Sequence, residues 1–182
     1  MSVPVPLLLS VLSIHVVSAL TLLCVEAATL QVMTALRASR DPESAGDILR
    51  SMRLAVTLTR IAPLLLVLSG LALGWMTGTF KAPWLIVSMM ATVLIPTLAH
   101  TVEMPRLERL SQALPSAAAL AEFQTDKAMV LSARARFATI IWIFLLMLGK
   151  PALLPCLAIG AAVYGLILLP ALGRKMGVAA AA

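Results

Sequence analysis

Charge is scarce in this sequence. Asp, Glu, Lys and Arg make up 12% of its 182 residues, about half the share of an average globular chain, while 61% are hydrophobic. That composition excludes an ordinary soluble domain. Aromatic residues are also rare, at 4%. The net charge of +6 therefore lacks the aromatic interleaving on which nucleic-acid bases stack. Attraction to anionic lipid is sufficient to account for the positive charge, and no nucleic-acid partner is implied. The two cysteines, Cys24 and Cys156, form no CxxC-type site. HExxH, GxSxG, P-loop and GxGxxG patterns are all missing, which argues against a soluble-type hydrolase or nucleotide enzyme.

What the chain has in quantity is long apolar runs. Five stretches read as spanning helices, at about 5–35, 54–77, 83–104, 128–149 and 153–172. The fold class is thus all-α: a polytopic transmembrane helical bundle with no separate soluble domain. The fourth run is wholly apolar only from Phe137 to Gly149, with Arg134 and Arg136 at its start. Its alternative reading is a short or tilted helix whose arginines snorkel to the headgroups. The N-terminal run has no Lys or Arg before it and is too long for a signal-peptide core, so it reads as an uncleaved span.

Basic residues orient the spans. Arg37, Arg40, Arg50, Arg53, Arg106, Arg109, Lys127, Arg134, Arg136, Arg174 and Lys175 fall on one side, against Lys81 and Lys150 on the other. The positive-inside rule then places the N-terminus outside and the C-terminus in the cytoplasm, as an odd number of spans requires. On that topology the two cysteines lie far apart in depth, too far for a disulfide. The turn at Asp41-Pro42 is followed by Ser44 three before Asp47, a plausible helix start. Between the third and fourth spans, residues 105–127 form a cytoplasmic segment. Leu107, Leu110 and Leu114 give it an apolar side, so it either lies on the membrane or prolongs the third helix.

Polar residues inside the spans are the candidates for function, because an ionisable group at membrane depth costs roughly 2.5–3.5 kcal/mol or more. His15 and Glu26 are 11 positions apart, about 1100° of rotation, and share one face of the first helix. With a rise of ~1.5 Å per residue they belong to two layers. The outer layer holds His15, with Met89, Met90 and Tyr164 within about one turn of its level. Imidazole and thioether ligands there suit a b-type haem or copper, and the alternative is a neutral histidine bonded to Tyr164, Ser13, Ser18 or a backbone carbonyl. The inner layer holds Glu26, Arg60, His100 and Glu103. It reads either as a proton or ion path, or as structural pairs of Glu26 with Arg60 and of Glu103 with Arg106 or Arg134. His15 and His100 differ in level by about 12 Å, which disfavours a bis-histidine haem. The stripe Met89, His100, Met104 is the one methionine spacing that suits a copper site. Gly70, Gly74 and Gly78, four apart, form a small-residue face for helix packing within the bundle or between copies.

Three segments carry a family resemblance: SIHVVSAL in the first span, PLLLVLSGLALGW followed by the Trp-led APWLIVSMMA, and LLMLGKP closing the fourth span. Across about residues 10–151 the chain resembles uncharacterised bacterial integral membrane proteins related to the CopD/HemJ-like group. The resemblance implies a helical bundle in the inner membrane, a haem-binding role for His15, and Lys150 as the Lys-Pro end of the pattern. Residues 11–14 are VLSI, and Arg136 is followed by FATI, where the HemJ-type pattern has other residues. Three functions stay open: a haem-holding membrane protein; an accessory or scaffold subunit in a homo-oligomer or membrane complex; and a copper or small-ion transport protein.

Overall fold

The computed structural model describes the backbone of residues 3–51, 53–113 and 116–173, and the side chains at those positions other than 53–56, 59, 60 and 171–173. Helix α1 runs over Val5–Ala38, α2 over Pro42–Ser51, α3 over Arg53–Thr77 and α4 over Pro83–Leu98. A π-helical turn, Ala99–Glu103, joins α4 to α5 (Met104–Ala113). Then follow α6 (Ala117–Thr125), α7 (Lys127–Gly149) and α8 (Leu153–Gly173). No strand occurs among the described residues.

Local chemistry sets most of the ends. Proline lies in the first turn of both α1 and α4, where it has no hydrogen bond to lose. Asp41 accepts the Ser44 backbone N–H at 2.8 Å and Pro42 opens α2, so this helix begins at Asp41-Pro42 rather than at the expected Ser44. After α3, Gly78 takes a left-handed φ of 67° and turns the chain toward α4. The π-helical turn lies between Pro96 and Pro105, each of which deletes an N–H from the helical ladder. Between those missing rungs the Met104 N–H reaches back five residues, to the Ala99 carbonyl.

Four helices are long and apolar enough to cross a membrane: Val5–Ala38, the continuous Pro83–Ala113, Lys127–Gly149 and Leu153–Pro170. The wholly described apolar part of α3, Ile61–Thr77, is shorter. The chain is a helical membrane bundle. Helix α3 packs along α1, while α7 is the hub, packing on α1, α4, the π-helical turn and α8. The span that looked least secure in the sequence is therefore the most enclosed one. A core of Leu22, Ala62, Ala91, Ile95, Ile140 and Ile143 ties α1, α3, α4 and α7 together. Much of α1 remains apolar and exposed, as a surface facing lipid should be.

At the end rich in arginine, a second cluster gathers Met33, Leu36, Ala45, Leu110, Phe123 and Met129. Segment 105–127 supplies part of it: α5 prolongs the α4 line and packs Leu107 and Leu110 inward, and α6 closes over them. Leu114 lies outside the described residues, as do Arg174 and Lys175. Asp126 fastens this cap. Its carboxylate accepts the Ala128 and Met129 N–H groups at the start of α7 and Arg106 Nε at 2.7 Å, while its carbonyl accepts Arg37 Nη1 at 2.9 Å.

Partial burial pushes the Asp126 carboxyl up, but the bond from Arg106, the two backbone N–H groups and the Arg106 charge outweigh it and hold the group below the ordinary range. A depressed carboxyl contributes stability that is complete above its unfolded value, about 3.9, and is lost as pH falls through the folded value. Acidification through that window should therefore lower the hydrogen-exchange protection of α5 and α6 relative to the intrinsic rate at each pH. Asp126→Asn should show the lower protection already at neutral pH and lack the acid step; an unchanged acid step in that variant would contradict the assignment.

Candidate functional site

The inner polar layer is built on Arg136 in α7. Its Nη2 donates to Glu26 Oε1 from α1, and its Nη1 donates to Glu103 Oε2 from the π-helical turn at 2.5 Å. Ser132, one turn earlier on α7, donates to Glu103 Oε1 at 2.9 Å. Glu26, Glu103 and Arg136 are each no more than 3% exposed. Arg136 Nε is buried with no hydrogen-bond partner among the described residues. Two carboxylates from different helices thus share one guanidinium in the bundle interior, where the fork of Arg can serve two acceptors at once.

This arrangement differs from the expected pairs. Glu103 takes Arg136, whereas Arg106 is held by Asp126 and Arg134 donates to the Ile167 carbonyl at 3.4 Å. Glu26 also takes Arg136; the side chain of Arg60, its expected partner, lies outside the described residues. Arg136 does not snorkel, because two carboxylates at its own level solvate it better than a distant headgroup would. His100 belongs to the same stretch of chain, but it is exposed on the outside of the π-helical turn while Glu103 faces in.

The outer layer is differently organised. His15 Nδ1 lies 3.2 Å from the Leu66 carbonyl and 3.1 Å from Ser69 Oγ, both on α3. A carbonyl only accepts, and Ser69 already donates to Leu65 O at 2.6 Å, so His15 Nδ1 carries the proton and Nε2 keeps a free lone pair. Gly70 makes room for the ring: a Cβ there would lie 3.2 Å from His15 Cε1. Gly74 is closed over by Phe80, and Gly78 is the turn residue, so the glycine face is used within the chain.

The residues expected beside His15 are elsewhere. Met89 and Met90 are exposed on α4, and Tyr164 on α8 lies 2.6 Å from Thr139 Oγ1, edge-on to Trp142. Thr139 donates to Ala135 O, so the Tyr164 hydroxyl is the donor between them. An imidazole anchored through its Nδ1–H presents Nε2 as its ligand nitrogen. No group of three or more His, Cys, Asp or Glu that could hold a metal occurs among the described residues.

Two residues of the cluster hold places the sequence reading did not give them: Arg136, expected at the membrane boundary, is its hub, and Ser132 bonds to Glu103 beside it. The available signal was their spacing of four on α7, together with an arginine set directly against an apolar run.

Buried ionisable groups inside four apolar spanning helices define an integral membrane protein. The family model described as "Predicted integral membrane protein (DUF2269)" matches residues 9–151, and the chain belongs to that family. The match runs from the first turns of α1 to the residue after the α7 C-cap, so it includes the whole Glu26–Arg136–Glu103 cluster. No curated protein and no solved structure matches the chain.

Removing one partner of a buried ionic cluster costs about 3–5 kcal/mol, whereas replacing the whole cluster is nearly neutral. Arg136→Met should therefore lower unfolding stability in detergent by that amount. The triple variant Glu26→Gln, Glu103→Gln, Arg136→Met should recover most of the loss. A single-variant loss below about 1 kcal/mol, the scale of exposed pairs, would contradict the geometry.

Proposed function

We propose that the protein is a small-cation-linked membrane protein, of the transport kind, whose ion site is the Glu26–Arg136–Glu103 cluster. One observation carries this reading: among the described residues, two buried carboxylates share a single guanidinium. A fixed excess of negative charge inside an apolar bundle calls for a mobile positive partner, and such a partner can be exchanged with an ion gradient. The π-helical turn that carries Glu103 supports the same reading, because such turns interrupt a helix at one register and recur at functional sites. The excess of basic residues at the capped end supports a cytoplasmic orientation of that end.

In reconstituted vesicles, cation uptake driven by an inside-negative potential should be at least tenfold lower in Glu26→Gln, Glu103→Gln and unchanged in His15→Ala. Equal uptake by the double variant and the wild type would contradict the proposal.

A second reading attaches to His15, whose open Nε2 suits one ligand position of a b-type haem. A bound haem would supply one-electron chemistry at the outer layer. Protein purified with haem available should then show a Soret band that disappears in His15→Ala; a colourless preparation would contradict this reading.

A further inference from the structure

The oxygens of the two carboxylates are not equivalent. Glu103 has both occupied, Oε2 by Arg136 and Oε1 by Ser132. Glu26 has Oε1 on Arg136, and its other oxygen has no hydrogen-bond partner among the described residues. A metal cation would need several free oxygens together, six to eight for calcium, and would face the guanidinium. A proton needs one oxygen. Arg136 Nε is likewise buried without a partner among the described residues, with room in its bonding for a further acceptor such as water.

We infer that the cation held by this cluster is a single proton, carried by Glu26 on the oxygen that Arg136 does not engage, while Glu103 stays ionised as the partner of the guanidinium. This inference rests on the cation-linked reading and names its ion. Two donors on Glu103 favour its charged form, and one donor on Glu26 leaves it the weaker anion. The acid, the carboxylate and the guanidinium then sum to zero charge in the bundle core, which avoids the cost of an isolated buried anion.

Other charged and titratable groups around the cluster are accounted for by element. On the π-helical turn, His100 is exposed, and on α5 Arg106 is engaged by Asp126. On α7, Arg134 reaches the Ile167 carbonyl, and on α8 Tyr164 is bonded to Thr139. On α3, which packs along α1, Arg60 is the group whose side chain lies outside the described residues. It is therefore the specific rival for the balancing charge.

Infrared spectroscopy of the full-length protein in lipid reads the carbonyl stretch of a buried carboxylic acid directly. The expected result is one such band per chain at neutral pH, shifted in D2O and lost in Glu26→Gln. Ser132→Ala should leave its frequency unchanged, because Ser132 donates to Glu103 and not to Glu26; a shifted band would assign the proton to Glu103 and overturn the inference. Absence of the band in the wild type, with its appearance in Arg60→Gln, would overturn it in favour of Arg60. If the band is absent but potential-driven uptake of sodium or potassium is lost in Glu26→Gln, Glu103→Gln, the ion is a metal cation: the inference fails and the cation-linked reading stands. If both band and uptake are absent, both fail.

Discussion

A guanidinium in an apolar bundle has few ways to remain charged. Arg136 does so by drawing a carboxylate from α1 and another from the π-helical turn, and this sets the relative positions of three helices at one depth. Breaking the arm to Glu103 would leave a buried charge unpaired, at a cost of several kcal/mol, so the cluster fixes depth and rotation as well as proximity. Apolar packing above it, around Leu22, Ala91 and Ile140, has no comparable directionality. Below it, the cap of α2, α5 and α6 is fastened by Asp126, which binds Arg106 and starts α7 in the same stroke. The helix carrying the guanidinium is thus held at its centre by charge and at its origin by a cap.

Helix α7 also explains where the sequence could and could not be read. Apolar runs identified the spans, since length and hydropathy are properties of a segment by itself. Loop chemistry was partly visible too: proline in the first turns of α1 and α4 and glycine after α3 act locally. Arg134 and Arg136, however, dilute the hydropathy of α7 and resemble a membrane boundary. Their true setting depends on Glu26 and Glu103, residues 110 and 33 positions away, and pairing over such separations is not written in any local window.

The candidate site shows the same division. Glu26 and Glu103 stood out because carboxylates at membrane depth are costly, and the structure brings both to one point. His100 stood out for the same reason, but the π-helical turn redirects it, and an irregularity of one residue between two prolines upsets any face drawn at 100° per residue. His15 lies on α1 and takes its partners from α3: the Leu66 carbonyl, a backbone acceptor of the kind expected, with Ser69 and the space above Gly70. Backbone carbonyls and missing side chains leave little trace in a sequence. Such partners appear only when the helices are assembled.

One proton balances Arg136, Glu26 and Glu103, and proton release on unfolding counts it most directly. At neutral pH a carboxylic acid that is neutral in the bundle must ionise when the chain unfolds into water. Wild type unfolded in denaturing detergent should release one proton per chain more than Glu26→Gln treated in the same way. Equal release from the two proteins would mean that Glu26 is already ionised in the folded bundle, and would contradict the account.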